Sequence, residues 1–179
     1  GFFDNPVDNL SALPIIAEHY QMKNIPVEDL VVVSPDAGGV ARATNLAERL
    51  GAKLAIIFKR RPEPDKADVI DIVGDIAGKT CIVVDDMIST GGTLVKGVET
   101  LLTHGATKVY AAATHAIFAE DAVEIIENSS IEELIVTDTI PLSEQAKRMS
   151  KLKVLSLAPL LGETIRRTHF NLSVSELFV

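Results

Sequence analysis

The chain has 179 residues, enough for one domain with a sizeable core. With 47% hydrophobic and 23% charged residues it has the composition of an ordinary globular protein. Acids outnumber bases, 25 to 17, and the net charge of -8 excludes broad binding to nucleic acid or anionic membranes, though not a local basic patch for phosphates. Cys81 is the single cysteine, so no internal disulfide forms; inside an apolar run it is expected as a buried, inert thiol, in keeping with a reducing, cytoplasmic setting. No apolar run approaches the roughly 18–20 residues of a membrane span.

In chain order, the first helical pattern covers 11–21. Apolar runs then alternate with helical patterns: a strand over 30–34, a helix over 40–50, a strand over 53–58, a strand over 80–85, a helix over 93–104, a strand over 108–114, a helix over 120–128, strands over 133–137 and 153–156, and a helix over 158–168. Val, Ile and Ala dominate the strands, as expected where both faces of a sheet are covered. The repeated order predicts an α/β fold with a mostly parallel sheet flanked by helices and right-handed crossovers. Residues 59–66, with Pro62 and Pro64, break the regularity and read as an exposed loop or the neck of a hairpin into 67–73.

Ligands in such sheets bind outside the carboxyl ends of the strands. Three chemically rich segments fall at such ends. After the strand over 80–85 come Asp85, Asp86, Ser89, Thr90, Gly91, Gly92 and Thr93. The glycines let backbone amides approach an anion, and the following helix adds its positive N-terminal end. The two carboxylates suit a vicinal diol or its metal, so the ligand class that satisfies the whole segment is a phosphorylated ribose. Each residue alone also fits a plain strand–turn–helix. After the strand over 30–34 come Asp36, Ala37, Gly38 and Gly39, where a carboxylate beside open amides suits a Mg²⁺–diphosphate pair, although Pro-Asp-Ala-Gly is also a routine turn. After the strand over 53–58 come Lys59, Arg60 and Arg61, cations of the kind that neutralise charge in phosphoryl transfer, or a solvated basic turn.

The Asp85–Thr93 string resembles the ribose-phosphate loop of the type I phosphoribosyltransferase fold, shared by nucleotide-salvage enzymes and the phosphoribosyl pyrophosphate (PRPP) synthetases. The loop alone does not choose between them. The further strings from Gly1-Phe2-Phe3-Asp4 through Ser34–Gly39, Lys59–Pro62, Ala113–Ala116 and Thr137–Ile140 to Ser173–Phe178 run in order along the chain. Together they resemble the C-terminal part of a ribose-phosphate pyrophosphokinase, the PRPP synthetase family.

The resemblance implies a single phosphoribosyltransferase-type domain over 1–179, with 1–29 as a lead-in, corresponding to the second of the family's two domains. It implies transfer of pyrophosphoryl from Mg-ATP to O1 of ribose 5-phosphate with release of AMP. Asp85 and Asp86 would hold the ribose hydroxyls, Ser89 through Thr93 the 5-phosphate, and Asp36–Gly39 the pyrophosphate. Asp36 would be a Mg²⁺ ligand, with Asp4 and Asp8 as weaker metal candidates. Lys59 and Arg61 would be the catalytic pair on a mobile loop. A homo-oligomer, dimer or hexamer, is the implied assembly. The first domain carries much of the ATP pocket in this family, so the chain by itself is expected to have little activity. Ser89 stands where many members have an acid, and Phe58 where an acid is frequent. Two other readings are a non-catalytic, synthetase-associated regulatory subunit and a base phosphoribosyltransferase.

Overall fold

The computed structural model describes residues 4–5, 7–60 and 69–177. Seven strands form one sheet in the order β3-β2-β1-β4-β5-β6-β7. They are β1 (Leu30–Ser34), β2 (Lys53–Arg60), β3 (Val69–Val73), β4 (Thr80–Ile88), β5 (Lys108–Ala116), β6 (Leu134–Thr137) and β7 (Leu152–Leu155). All neighbours pair in parallel except β2 and β3, which form an antiparallel pair. The helices are α1 (Leu13–Gln21), α2 (Val40–Leu50), α3 (Gly92–Thr103), α4 (Ala122–Glu127) and α5 (Ala158–His169).

Alternation sends the two halves of each strand to opposite layers. Val31, Val33, Ile57, Cys81 and Val83 pack with Leu94, Val98 and Leu101 of α3 and Ile126 of α4. Val32, Ile82, Val84 and Ala112 face the other way, onto Ile16 and Tyr20 of α1 and Leu46 and Leu50 of α2. Each fully buried apolar side chain of this size contributes about 1.5–3 kcal/mol, so the four buried apolar residues of β1, Leu30 to Val33, anchor the centre of both layers. The expected buried thiol is found: Cys81 is buried, and that burial pushes it up to about 12.

Helix α1 lies inside the 1–29 segment and belongs to the core. Ile16 and Tyr20 are buried, and the Tyr20 hydroxyl donates to Ala111 O across 3.1 Å, tying the helix to β5. By contrast α5 has no buried residue; Leu161 and Ile165 stay exposed.

Three strands run further than their apolar runs. Strand β2 continues to Arg60 because β3 pairs with it, Lys59 opposite Ile70 and Arg60 opposite Val69. The expected hairpin is thus present, with 61–68 outside the described residues. Strands β4 and β5 extend each other, with Met87 opposite His115 and Ile88 opposite Ala116. Hydrogen bonding to a neighbour, not hydrophobicity, sets these ends.

Strand order reverses at β1: the chain passes to β2 on one side and later to β4 on the other. A crevice opens at such a reversal, outside the carboxyl ends of the two strands.

Candidate functional site

Two loops border that crevice. The first follows β1. Ser34 is fully buried, and its hydroxyl donates to Asp36 O at 2.7 Å. The Gly39 N–H donates to Asp36 Oδ1 at 2.9 Å. A Cβ on Gly39 would lie 2.9 Å from Ser34 Oγ, so a side chain there would force the buried serine aside. Asp36, Ala37 and Gly38 are exposed. The sequence suggested a carboxylate beside open amides; here one carboxylate oxygen already closes its own loop.

The second loop follows β4. Gly91 takes φ 76°, a left-handed conformation that costs other residues roughly 1–3 kcal/mol. A Cβ there would also come within 3.2 Å of the Ile126 side chain. This turn starts α3 at Gly92, and no side chain caps the helix. Its first amides are therefore available to an anion, with the helix dipole behind them. Ser89, Thr90 and Thr93 are exposed beside them.

The loops share one cavity of about 240 Å³, lined by Asp36 from the first and by Asp85, Ser89, Thr90, Gly91 and Thr93 from the second. Its donors are hard oxygens and backbone amides, which suits a phosphate with a Mg²⁺ that keeps several waters. Among the described residues no three His, Cys, Asp or Glu side chains gather into a metal cage. Any Mg²⁺ would thus lean on its ligand's oxygens as well as on the protein.

The acid pair lies within β4 rather than beyond it. Asp86 and Met87 are both exposed, so alternation fails there. The Asp86 N–H donates to Asp85 Oδ1 and the Met87 N–H to Asp86 Oδ1, each at 2.8 Å. Arg42 completes the group. Its Nη1 donates to Asp85 Oδ1 at 2.8 Å and its Nη2 reaches Asp86 Oδ2 at 3.0 Å. Burial pushes the Asp85 carboxyl above its ordinary range, against the pull of its amide partner and of Arg42. For Asp86 burial also raises the value, but the hydrogen bond with Asp85, the Arg42 charge and the Met87 N–H outweigh it and hold its carboxyl low.

Sequence reasoning missed Arg42. It sits in the first turn of α2, where the helix dipole disfavours a cation. A base at that position calls for an acidic partner, and that was the available signal.

The backbone of Lys59 is strand, paired with Ile70, rather than loop. Strand β2 neighbours β1, so Lys59 and Arg60 stand in the strand next to the one that leads into the Asp36 loop. Arg61 lies outside the described residues. Asp4 and Asp8 are exposed and join no metal-ligating cluster among the described residues. His115 Nδ1 lies 2.9 Å from Thr139 Oγ1, in a group at the ends of β5 and β6.

A mostly parallel sheet with open loop amides near its reversal point is common to several open α/β folds; solved structures identify this one as the phosphoribosyltransferase-type fold. The chain superimposes on a purine phosphoribosyltransferase from Pyrococcus horikoshii with a TM-score of 0.50 over 81% of this chain and 84% of that one, at 19% identity, which speaks for the fold alone. The phosphoribosylpyrophosphate synthetase from Mycobacterium smegmatis matches far better, with a TM-score of 0.85 and 43% identity over 95% of this chain and 54% of that chain. A ribose-phosphate pyrophosphokinase of Aquifex aeolicus is 53% identical over 99% of this chain and 56% of its own length. The chain therefore spans about half the length of the curated relatives it matches. A model of the phosphoribosyl synthetase-associated domain matches residues 61–179, and the chain belongs to that family.

Proposed function

We propose that the protein makes phosphoribosyl pyrophosphate, transferring pyrophosphoryl from Mg-ATP to O1 of ribose 5-phosphate. The observation that carries this reading is the shared cavity, which joins the Asp36 loop to Asp85 and the amide-rich turn across two adjacent strand ends. A base phosphoribosyltransferase needs the same turn, but the 53% identity to a ribose-phosphate pyrophosphokinase favours the synthetase.

In this reading Ser89, Thr90, Gly91, Gly92 and Thr93 hold the 5-phosphate through amides and hydroxyls. Asp85 and Asp86 orient the ribose hydroxyls. Asp36, Ala37, Gly38 and Gly39 face the diphosphate. Asp36, with Asp4 or Asp8 as weaker candidates, would hold a Mg²⁺, which would supply neutralisation of the phosphate charge. A bond forms from O1 to the β-phosphorus while the bond from that phosphorus to the α–β bridging oxygen breaks. AMP leaves, and the O1 proton passes to solvent. Lys59 and Arg61 stabilise the charge that builds on the transferring group. Such a reaction asks the protein for positioning and cations rather than for a nucleophile. That demand fits a cysteine that is buried and unreactive.

A cytoplasmic setting is part of this proposal. A homo-oligomer, dimer or hexamer, belongs to the same proposal, supported by α5, whose Leu161 and Ile165 are exposed. The test is AMP release by the full-length protein given Mg²⁺, ATP and ribose 5-phosphate. No AMP would sink the reading. Full activity of an assembled complex carrying Lys59→Ala would instead favour the regulatory subunit.

A further inference from the structure

The second loop and its acid pair raise a problem of charge. Two adjacent carboxylates repel each other, and they also repel the phosphate expected a few residues along. In the structure Arg42 answers the first difficulty from another element. One nitrogen goes to each acid, Nη1 to Asp85 Oδ1 and Nη2 to Asp86 Oδ2. A forked guanidinium does this; a point charge would not hold both directions.

Two details show that this contact is built rather than incidental. Arg42 stands at the start of α2, where the dipole works against it. The donors on the pair are also distributed unevenly. The Asp86 amide and Arg42 share Asp85 Oδ1, while the Met87 amide and Arg42 take the two oxygens of Asp86. Asp85 Oδ2 is the one oxygen that no nitrogen donor reaches among the described residues. Asp85 lines the same cavity as the amide-rich turn.

We propose that Arg42 is a built-in counter-cation of the sugar site, standing where a divalent ion would otherwise be needed and leaving Asp85 Oδ2 as the acceptor for a vicinal diol. The sugar phosphate then binds this half of the site without a divalent ion. This rests on the ribose 5-phosphate reading above. Arg42 acts through the acids, so it is a positioning residue.

The test is calorimetric titration of ribose 5-phosphate into wild-type protein, Arg42→Gln and Arg42→Lys, each in EDTA and in Mg²⁺. Wild type should bind alike in both. Arg42→Gln should bind about tenfold or more weakly in EDTA, from the loss of charge-assisted contacts, and recover in Mg²⁺. Arg42→Lys should fall between. An Arg42→Gln protein that binds like wild type in EDTA, or stays weak in Mg²⁺ with an unchanged melting temperature, overturns the proposal. If Arg42→Gln does not fold, Arg42→Lys, which keeps the charge and loses the fork, should bind more weakly in EDTA than in Mg²⁺; equal binding in both overturns the idea. A second readout uses Mn²⁺ alone, followed by relaxation of the Asp85 and Asp86 amide signals. Arg42→Gln should admit Mn²⁺ to the pair and wild type should not; equal behaviour overturns the proposal. Should wild type bind no ribose 5-phosphate at all, the sugar reading falls and the Mn²⁺ result alone decides the role of Arg42.

Discussion

The loop after β1 and the loop after β4 share one local design, a buried strand, a small turn with two glycines, then a helix. They differ in what the turn does with its own polar groups. The first closes on itself: Asp36 accepts from Gly39, and Ser34 donates to the Asp36 carbonyl. The second is held by the left-handed Gly91 and uses no side chain of its own. Neither α2 nor α3 has a side-chain cap, so both leave their first amides open. What differs is the carboxylate: Asp36 has one oxygen bonded within its own turn and must give up that bond before it can offer both to a metal, whereas among the described residues the second turn has no such bond to break.

Substitutions can break this contrast. The largest effect is expected at Gly91. Gly91→Val must adopt φ 76° and meet Ile126, so it should cost about 1–3 kcal/mol in denaturant unfolding and remove ribose 5-phosphate binding. A variant that keeps full affinity would show that the turn is not the phosphate site. Next comes Asp85→Asn, which keeps the shape and removes the charge. Calorimetry should show sugar-phosphate binding weaker by about 1–3 kcal/mol, with little change in melting temperature. In the first loop, Asp36→Ala should cost about 0.5–1.5 kcal/mol by removing the acceptor of the Gly39 N–H, while Asp36→Asn keeps that bond and most of the stability. Equal stability of the two variants would mean that the first loop is no more self-satisfied than the second.

The smallest effect lies outside both loops and serves as their control. Arg166 and Arg167 hold the Glu163 carboxyl down from its ordinary 4.5 to about 2. A depressed carboxyl adds stability that is complete above the unfolded value and lost as pH falls through the folded one. The melting-temperature gap between wild type and Glu163→Gln should therefore be small, and should close between pH 4.5 and about 2. The site is solvent-screened, so the gap is slight at any pH. A gap independent of pH would remove the ion pairs on α5 as its cause.

Much of this was legible in the chain itself. The apolar run before Asp85 and the glycines after it announced a strand, a turn and a helix, and all three are found. The ends of β2, β4 and β5 were not legible, because each depends on a partner strand supplying hydrogen bonds beyond the apolar run. Arg42 was overlooked for a similar reason. It lies 43 residues from Asp85, and nothing local to either residue names the other.

By itself, then, the sequence determined the elements, the chemistry waiting at each strand end and the family pattern, since these follow from periodicity and from residues adjacent along the chain. The tertiary structure decided that β1 and β4 are neighbours, that their loops share a cavity, that Asp36 is partly occupied and that one arginine spans the acid pair. Those outcomes depend on packing elements far apart in the chain, and a short-range pattern carries no record of which distant partner a packed side chain will meet.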